Sequence, residues 1–383
     1  MVINKNQFAS ILSPTFIFIG FIACGVFTQY TPLLRYLSVS IVLILALLSF
    51  FNAIQRYRHP SEQIVTFLMY LALVQLFFNI TRNNPADLSI FLVIILGYLI
   101  KSYFNISVKL IATLNFFTIS IMIYELVSFS YFIDLENNKF EFGRLQGLFS
   151  YSKEAGYYVI AASFYLFTVR RLTTSSILGL LAIATLSGTR TAILFVISIL
   201  FIKFMNGIIK ISYDKLRKFI VFMLMSTLLL YVSLNYYFVG KSEYMIYRFK
   251  NSFNFVSSSH QDRLFFWRSY LEGINDYSWY EIIFGAGTKL NIILGNGAES
   301  FYLMILSQYG LITLVSILSI FILIVTKANK IEEIMIIASL LVILFVGRIG
   351  VGWADGILIW AAFFHILDRT KGLQDGAYQV RLQ

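Results

Sequence analysis

Residues 300–326, SFYLMILSQYGLITLVSILSIFILIVT, run on without one charged side chain. A helix needs about 20 mostly apolar residues to cross a bilayer core of ~30 Å, and this stretch is longer than that. Similar candidate spans lie near 9–28, 36–54, 63–80, 86–104, 108–128, 155–169, 173–187, 189–204, 219–238, 331–347 and 351–367. About twelve spans define the expected fold class, an all-α polytopic membrane protein. A single transmembrane domain covers 1–383, with longer loops near 129–154 and 239–299 and a polar tail near 370–383.

Composition excludes the alternatives. Of 383 residues, 58% are hydrophobic, 17% aromatic and only 13% charged, and the mean hydropathy is +0.78. Soluble domains carry about 25% charged residues, and single cores stop growing near ~250–300 residues. A water-soluble globule could not hide this much apolar surface. Cys24 is the only cysteine, which rules out a disulfide scaffold and a thiolate metal site. With His59, His260 and His365 scattered, no metal and no cofactor are expected. The net charge of +11 does not point to nucleic acid, because Lys and Arg punctuate the apolar runs instead of gathering in a basic domain. Charges so placed set topology and meet anionic lipid headgroups.

The loops give the orientation. With the N-terminus inside, cytoplasmic segments hold roughly seventeen positive residues, Arg56, Lys101, Arg170, Lys203, Lys327 and Arg369 among them, against roughly seven in the opposite short loops. Both termini are then cytoplasmic, and the loops 129–154 and 239–299 face outward. The spans 173–187 and 189–204 are each short for a bilayer. They are expected to meet at Ser187-Gly188-Thr189-Arg190, in a turn dipping below the outer interface.

Four outward features carry candidate chemistry. Arg190 begins a helix whose first turn offers unpaired N–H groups and a positive dipole end, a setting suited to an anion. It could equally snorkel to headgroups. Arg263 and Arg268 sit in Gln261-Asp262-Arg263-Leu264-Phe265-Phe266-Trp267-Arg268, five apart and so on different helix faces. That segment also reads as an amphipathic helix lying on the membrane. Arg144, in Gly143-Arg144-Leu145-Gln146-Gly147, is either a phosphate-closing residue or part of a plain turn; Lys153 and Glu154 follow just before a span. Glu299 stands at the mouth of the span 300–326, as a helix-end charge or as a general base.

Several arginines and one carboxylate on one face suit a particular reaction. Guanidinium binds phosphate oxygens bidentately and keeps its charge when desolvated. A diphosphate leaving group held by arginines, with a carboxylate deprotonating an attacking hydroxyl, forms a self-consistent metal-free transfer site. No nucleotide sugar exists outside the cytoplasm, so a lipid-linked diphosphate sugar is the fitting donor.

These residues resemble the O-antigen polymerase/O-antigen ligase superfamily of bacterial inner-membrane glycosyltransferases. Ser187-Gly188-Thr189-Arg190-Thr191-Ala192 is similar to the family's Ser-Gly-Ser-Arg-Ser-Ala. Arg263-Leu264-x-x-Trp267 and Phe284-Gly285-Ala286-Gly287 resemble its outer-loop elements, and Arg144-x-x-Gly147-x-Phe149 a weaker one. Glu299-Ser300, nine residues, then Gly310-Leu311-Ile312-Thr313 match the spacing of the ligase signature, with Glu299 in place of the ligase histidine.

The resemblance implies a GT-C-like fold in a bacterial inner membrane, with the active site facing the periplasm. It implies a Wzy-type polymerase: an inverting, metal-independent enzyme that transfers a growing chain from undecaprenyl diphosphate to the non-reducing end of an incoming lipid-linked repeat unit. Glu299 is the implied base, and Arg190, Arg263 and Arg144 the diphosphate ligands. Arg268, Tyr302, Lys153, Glu154 and Arg348 are expected as further substrate contacts. Expected partners are undecaprenyl-diphosphate-linked repeat units, membrane lipids and a Wzz-type chain-length regulator, with no nucleic acid. Arginines and a helix N-terminus lower a carboxylate's pKa, so two roles fit Glu299, base or orienter of the acceptor hydroxyl. The alternatives are a ligase acting on lipid A-core and a flippase for the same lipid-linked sugar.

Overall fold

A computed structural model describes residues 60–81, 89–101, 104–128, 147–149, 152–208, 258–294, 300–328, 330–350 and 353–369. The expected spans 9–28, 36–54 and 219–238, and the polar tail, lie outside the described residues. All regular structure within them is helical: α1 Pro60–Thr81, α2 Ser89–Ile100, α3 Phe104–Ser128, α4 Ser152–Thr168, α5 Thr174–Leu186 and α6 Arg190–Ile208. Then come α7 Ser258–Asn275, α8 Trp279–Phe284, α9 Lys289–Leu294, α10 Phe301–Met304, a π-helical turn Ile305–Tyr309, α11 Gly310–Lys327, α12 Ile331–Val346 and α13 Trp353–Leu367.

Among the described residues, Pro60–Thr81, Val108–Glu125 and Phe301–Lys327 are long and apolar enough to cross a membrane. The exposed side chains point the same way. On α1 the buried stripe holds Ser61, Gln75 and Asn79, while Phe67, Tyr70, Phe77 and Ile80 are exposed. Large apolar side chains outside, with polar ones buried beside Val65, Leu68 and Leu71, are unlike a soluble helix and suit a lipid surround. On α11 Leu311, Val315, Leu318 and Ile322 are likewise exposed, although its buried face, Ile317, Ile320, Phe321 and Ile324, is apolar as well.

The core is organised around α13, which packs against α2 and α4. It is apolar on all sides and almost wholly buried from Ile357 to Phe364, as a central helix should be. Lipid offers no hydrophobic drive between helices, so association depends on close van der Waals fit and small residues. At Gly97 of α2 a Cβ would lie 2.6 Å from the Trp360 Cβ, and at Gly356 of α13 one would lie 2.4 Å from Val93. The Phe164 and Phe363 rings then meet edge-on, with centroids 5.4 Å apart.

Chain termini of the helices gather at two ends. At one, Lys101 pairs with Asp368, and the Ser61 hydroxyl donates to the same carboxylate at 2.7 Å. Arg369 pairs there with Glu333 at 2.7 Å and reaches the Thr168 carbonyl, while Lys203 donates to the Leu172 carbonyl. The opposite end carries the motifs.

Candidate functional site

The Ser-Gly-Thr-Arg element is a helix stop followed at once by a helix start. Gly188 N–H bonds the Thr185 carbonyl at 3.0 Å and Thr189 N–H the Ala184 carbonyl at 3.2 Å, a Schellman closure of α5. It needs a left-handed residue, and Gly188 supplies φ 64. The Ser187 hydroxyl bonds Thr189 Oγ1 at 3.1 Å, and the Thr189 carbonyl opens the ladder of α6. Arg190 is therefore the first residue of α6, part-exposed at its positive end. α4 crosses this turn closely, since a Cβ at Gly156 would lie 2.2 Å from Thr189.

Contacts lead from this turn to the other motifs. Tyr157, next to Gly156, brings its hydroxyl against Gly347, and the Gly347 carbonyl accepts the Phe301 N–H at 3.2 Å. The start of α4, the start of α6, the end of α12 and the start of α10 thus share one end of the bundle. Arg348 is exposed there, one residue beyond Gly347, and Lys153 is exposed and Glu154 part-buried on the first turn of α4. On α7, Trp267 meets Phe345 of α12 edge-on, with centroids 5.1 Å apart. Arg263 lies one turn before Trp267 on the same helix. Among the described residues, neither the buried Ser300 hydroxyl nor the Trp267 indole N–H has a hydrogen-bond partner.

Glu299 and Arg144 lie outside the described residues. Each is tied to a placed neighbour, since an extended chain advances about 3.5 Å per residue. Glu299 directly precedes Ser300, and Arg144 is three residues before Gly147. Gly147 N–H points at both carboxylate oxygens of Glu125 on α3, 3.2 Å from each. Phe149 packs on Tyr158, whose hydroxyl donates to Asn115 at 2.8 Å. Of the further contacts expected, Arg268 is exposed and pairs with Glu272 at 2.7 Å, and the Tyr302 hydroxyl donates to the Leu341 carbonyl at 3.1 Å.

The Phe-Gly-Ala-Gly element braces a break in the long apolar helix. A π turn followed by Gly310 at φ 81 displaces carbonyls from the helical ladder. Ala286 N–H takes the Ser307 carbonyl and Gly287 N–H that of Gln308, both at 3.1 Å. Gln75 of α1 donates to the Tyr309 carbonyl and lies 2.6 Å from the Thr313 hydroxyl. A Cβ at Gly285 would fall 2.2 Å from the Gln308 carbonyl oxygen, so the approach is backbone on backbone. Lys289 and Glu281 pair across the element at 2.7 Å. Burial pushes the Glu281 carboxyl up, but hydrogen bonds from Lys289 and Ser278 outweigh it and hold the group at about 2.

Sequence reasoning missed Gln75, Glu125 and Asp355. For Asp355 a signal existed, a lone carboxylate inside the apolar run 351–367. Among the described residues, no three of His, Cys, Asp and Glu group as a metal site would require. No protein-family model matches the chain, and no curated protein or solved structure is significantly similar to it.

Proposed function

We propose that the protein is a membrane glycosyltransferase of the O-antigen polymerase type, acting on lipid-linked diphosphate sugars at the bundle end that carries Arg190. In the proposed reaction the acceptor hydroxyl of an incoming lipid-linked repeat unit attacks the anomeric carbon of the donor chain. Its C–O bond to undecaprenyl diphosphate breaks with inversion, and the proton passes to Glu299, the implied base. Arg190, Arg263 and Arg144 stabilise the departing diphosphate, which needs planar, permanently charged donors. The cytoplasmic termini, the periplasmic site in a bacterial inner membrane and the Wzz-type partner belong to the same reading.

The observation that carries it is the meeting of separated segments. The Arg190 turn, the residues beside Glu299, the Gly347–Arg348 turn and the α7 helix of Arg263 lie at one end, although long stretches of sequence divide them. The helix break at Ile305–Tyr309 favours a second reading, a flippase, because transporters place discontinuous helices at their binding sites.

One assay separates the two. Purified wild-type protein and Glu299→Gln receive undecaprenyl-diphosphate repeat units in detergent. A glycan ladder from wild type and none from Glu299→Gln is the expected result. A ladder from both removes Glu299 as an essential base. No ladder from folded wild type supplied with the native repeat unit overturns the polymerase.

A further inference from the structure

The turn after α12 is gripped from inside the membrane domain. Asp355 Oδ2 accepts the Gly350 N–H at 2.6 Å, and the Trp360 indole N–H donates to the Gly350 carbonyl at 3.2 Å. Both backbone groups of one residue are therefore held by side chains of α13. Asp355 is 6% exposed and Trp360 1%. A carboxylate in an apolar helix is costly and calls for a reason. Capping the N-terminus of α13 would account for Asp355 alone. It would not account for Trp360 gripping the same residue, nor for what lies on either side of the turn.

At its near end, the Gly347 carbonyl receives the Phe301 N–H and so fixes the start of α10. At its far end, Gly350 lies against Phe301 and Leu344. Arg348 stands exposed between these anchored points, and no carboxylate among the described residues forms an ion pair with it. An exposed guanidinium on a pre-set turn, beside the start of α10, is an anion donor whose ordering cost is already met by the fold.

We propose that Asp355 is a positioning residue. With Trp360 it sets the 347–350 turn so that Arg348 binds the diphosphate of the lipid-linked donor next to the start of α10. The assignment rests on the glycosyltransferase reading above, and it adds a diphosphate ligand together with the residue that aims it.

The test uses full-length protein in nanodiscs, with undecaprenyl diphosphate as the probe. Hydrogen bonds to charged groups are worth ~1.5–3 kcal/mol, so Arg348→Ala should weaken binding about tenfold or more. Asp355→Ala should weaken it by a similar factor, and the double variant no further than Arg348→Ala alone. Asp355→Asn, which keeps an acceptor for Gly350 N–H, should bind nearly as wild type does. A second readout needs no ligand. In a Cys24→Ser background, a spin label on Arg348→Cys should be immobilised, freed by Asp355→Ala and left immobilised by Asp355→Asn.

Affinity unchanged in Arg348→Ala, additive losses in the double variant, or a label indifferent to Asp355→Ala would each overturn the proposal while leaving the polymerase reading intact. A wild-type protein that does not bind undecaprenyl diphosphate overturns the diphosphate reading, and this assignment with it.

Discussion

The two ends of the bundle use their carboxylates differently. At the end holding Lys101 and Arg369, acids meet cations: Asp368 takes Lys101, and Glu333 takes Arg369 with both side chains under a tenth exposed. At the motif end, Glu125 and Asp355 accept backbone amides, from Gly147 and Gly350, and the ion pairs there, Arg268–Glu272 and Lys289–Glu281, leave their cations exposed to solvent or lipid. The first arrangement cancels charge and ties helices together. The second uses acids to hold loops, and Arg348 is exposed beside one of them.

Substitutions at the two ends should therefore fail in different ways. The largest effect is expected from Arg190→Ala and Arg263→Ala, each of which should abolish chain elongation at unchanged protein level and melting temperature. Normal glycan ladders from either variant would remove it as a diphosphate ligand. Glu333→Gln should do the reverse. Breaking a buried ion pair costs about 3–5 kcal/mol, so the melting temperature in detergent should drop sharply while turnover per folded molecule holds. A double replacement of Glu333 and Arg369 by apolar residues should recover most of that loss.

Gly310→Ala tests the brace on the long apolar helix at the motif end. Its φ of 81 and a Cβ only 2.3 Å from the Ile283 carbonyl oxygen leave no room for a methyl group. Strain and overpacking together cost about 2–4 kcal/mol, and both stability and elongation should fall. A variant with wild-type melting and activity would show that the π turn is dispensable. The smallest effect concerns the helix stops. α4 ends with Arg170 at φ 57, where α5 has Gly188. Arg170→Gly should relieve the left-handed strain and stabilise by about 0.5–1 kcal/mol, after subtracting glycine's extra unfolded-state freedom.

The legible features were those written in local chemistry. Ser187-Gly188-Thr189-Arg190 announces a stop and a start through glycine and hydroxyls, and the helices break there. The run 300–326 shows its length plainly but hides its interruption, because a π turn changes the hydrogen-bond register and leaves the apolar character intact. Only Gln308, Gly310 and the distant Gln75 hint at it, and pairing Gln75 with Tyr309 requires the third dimension. Glu125 was unread for the same reason, since its partner is a backbone amide with no residue signature. The link from the Tyr302 hydroxyl to the Leu341 carbonyl was unread on the same ground.

The central place of α13 bears on how the protein is made. α2 and α4 leave the ribosome long before the helix that fills the space between them, and Gly97 waits for Trp360 across most of the chain. Domains begin folding from the N-terminal side during synthesis, but here α2 and α4 lack their main common partner until the last described helix is made. Assembly should thus close late and all at once. A nascent chain halted before Trp353 should be open to quality-control proteolysis in a way that the finished protein is not.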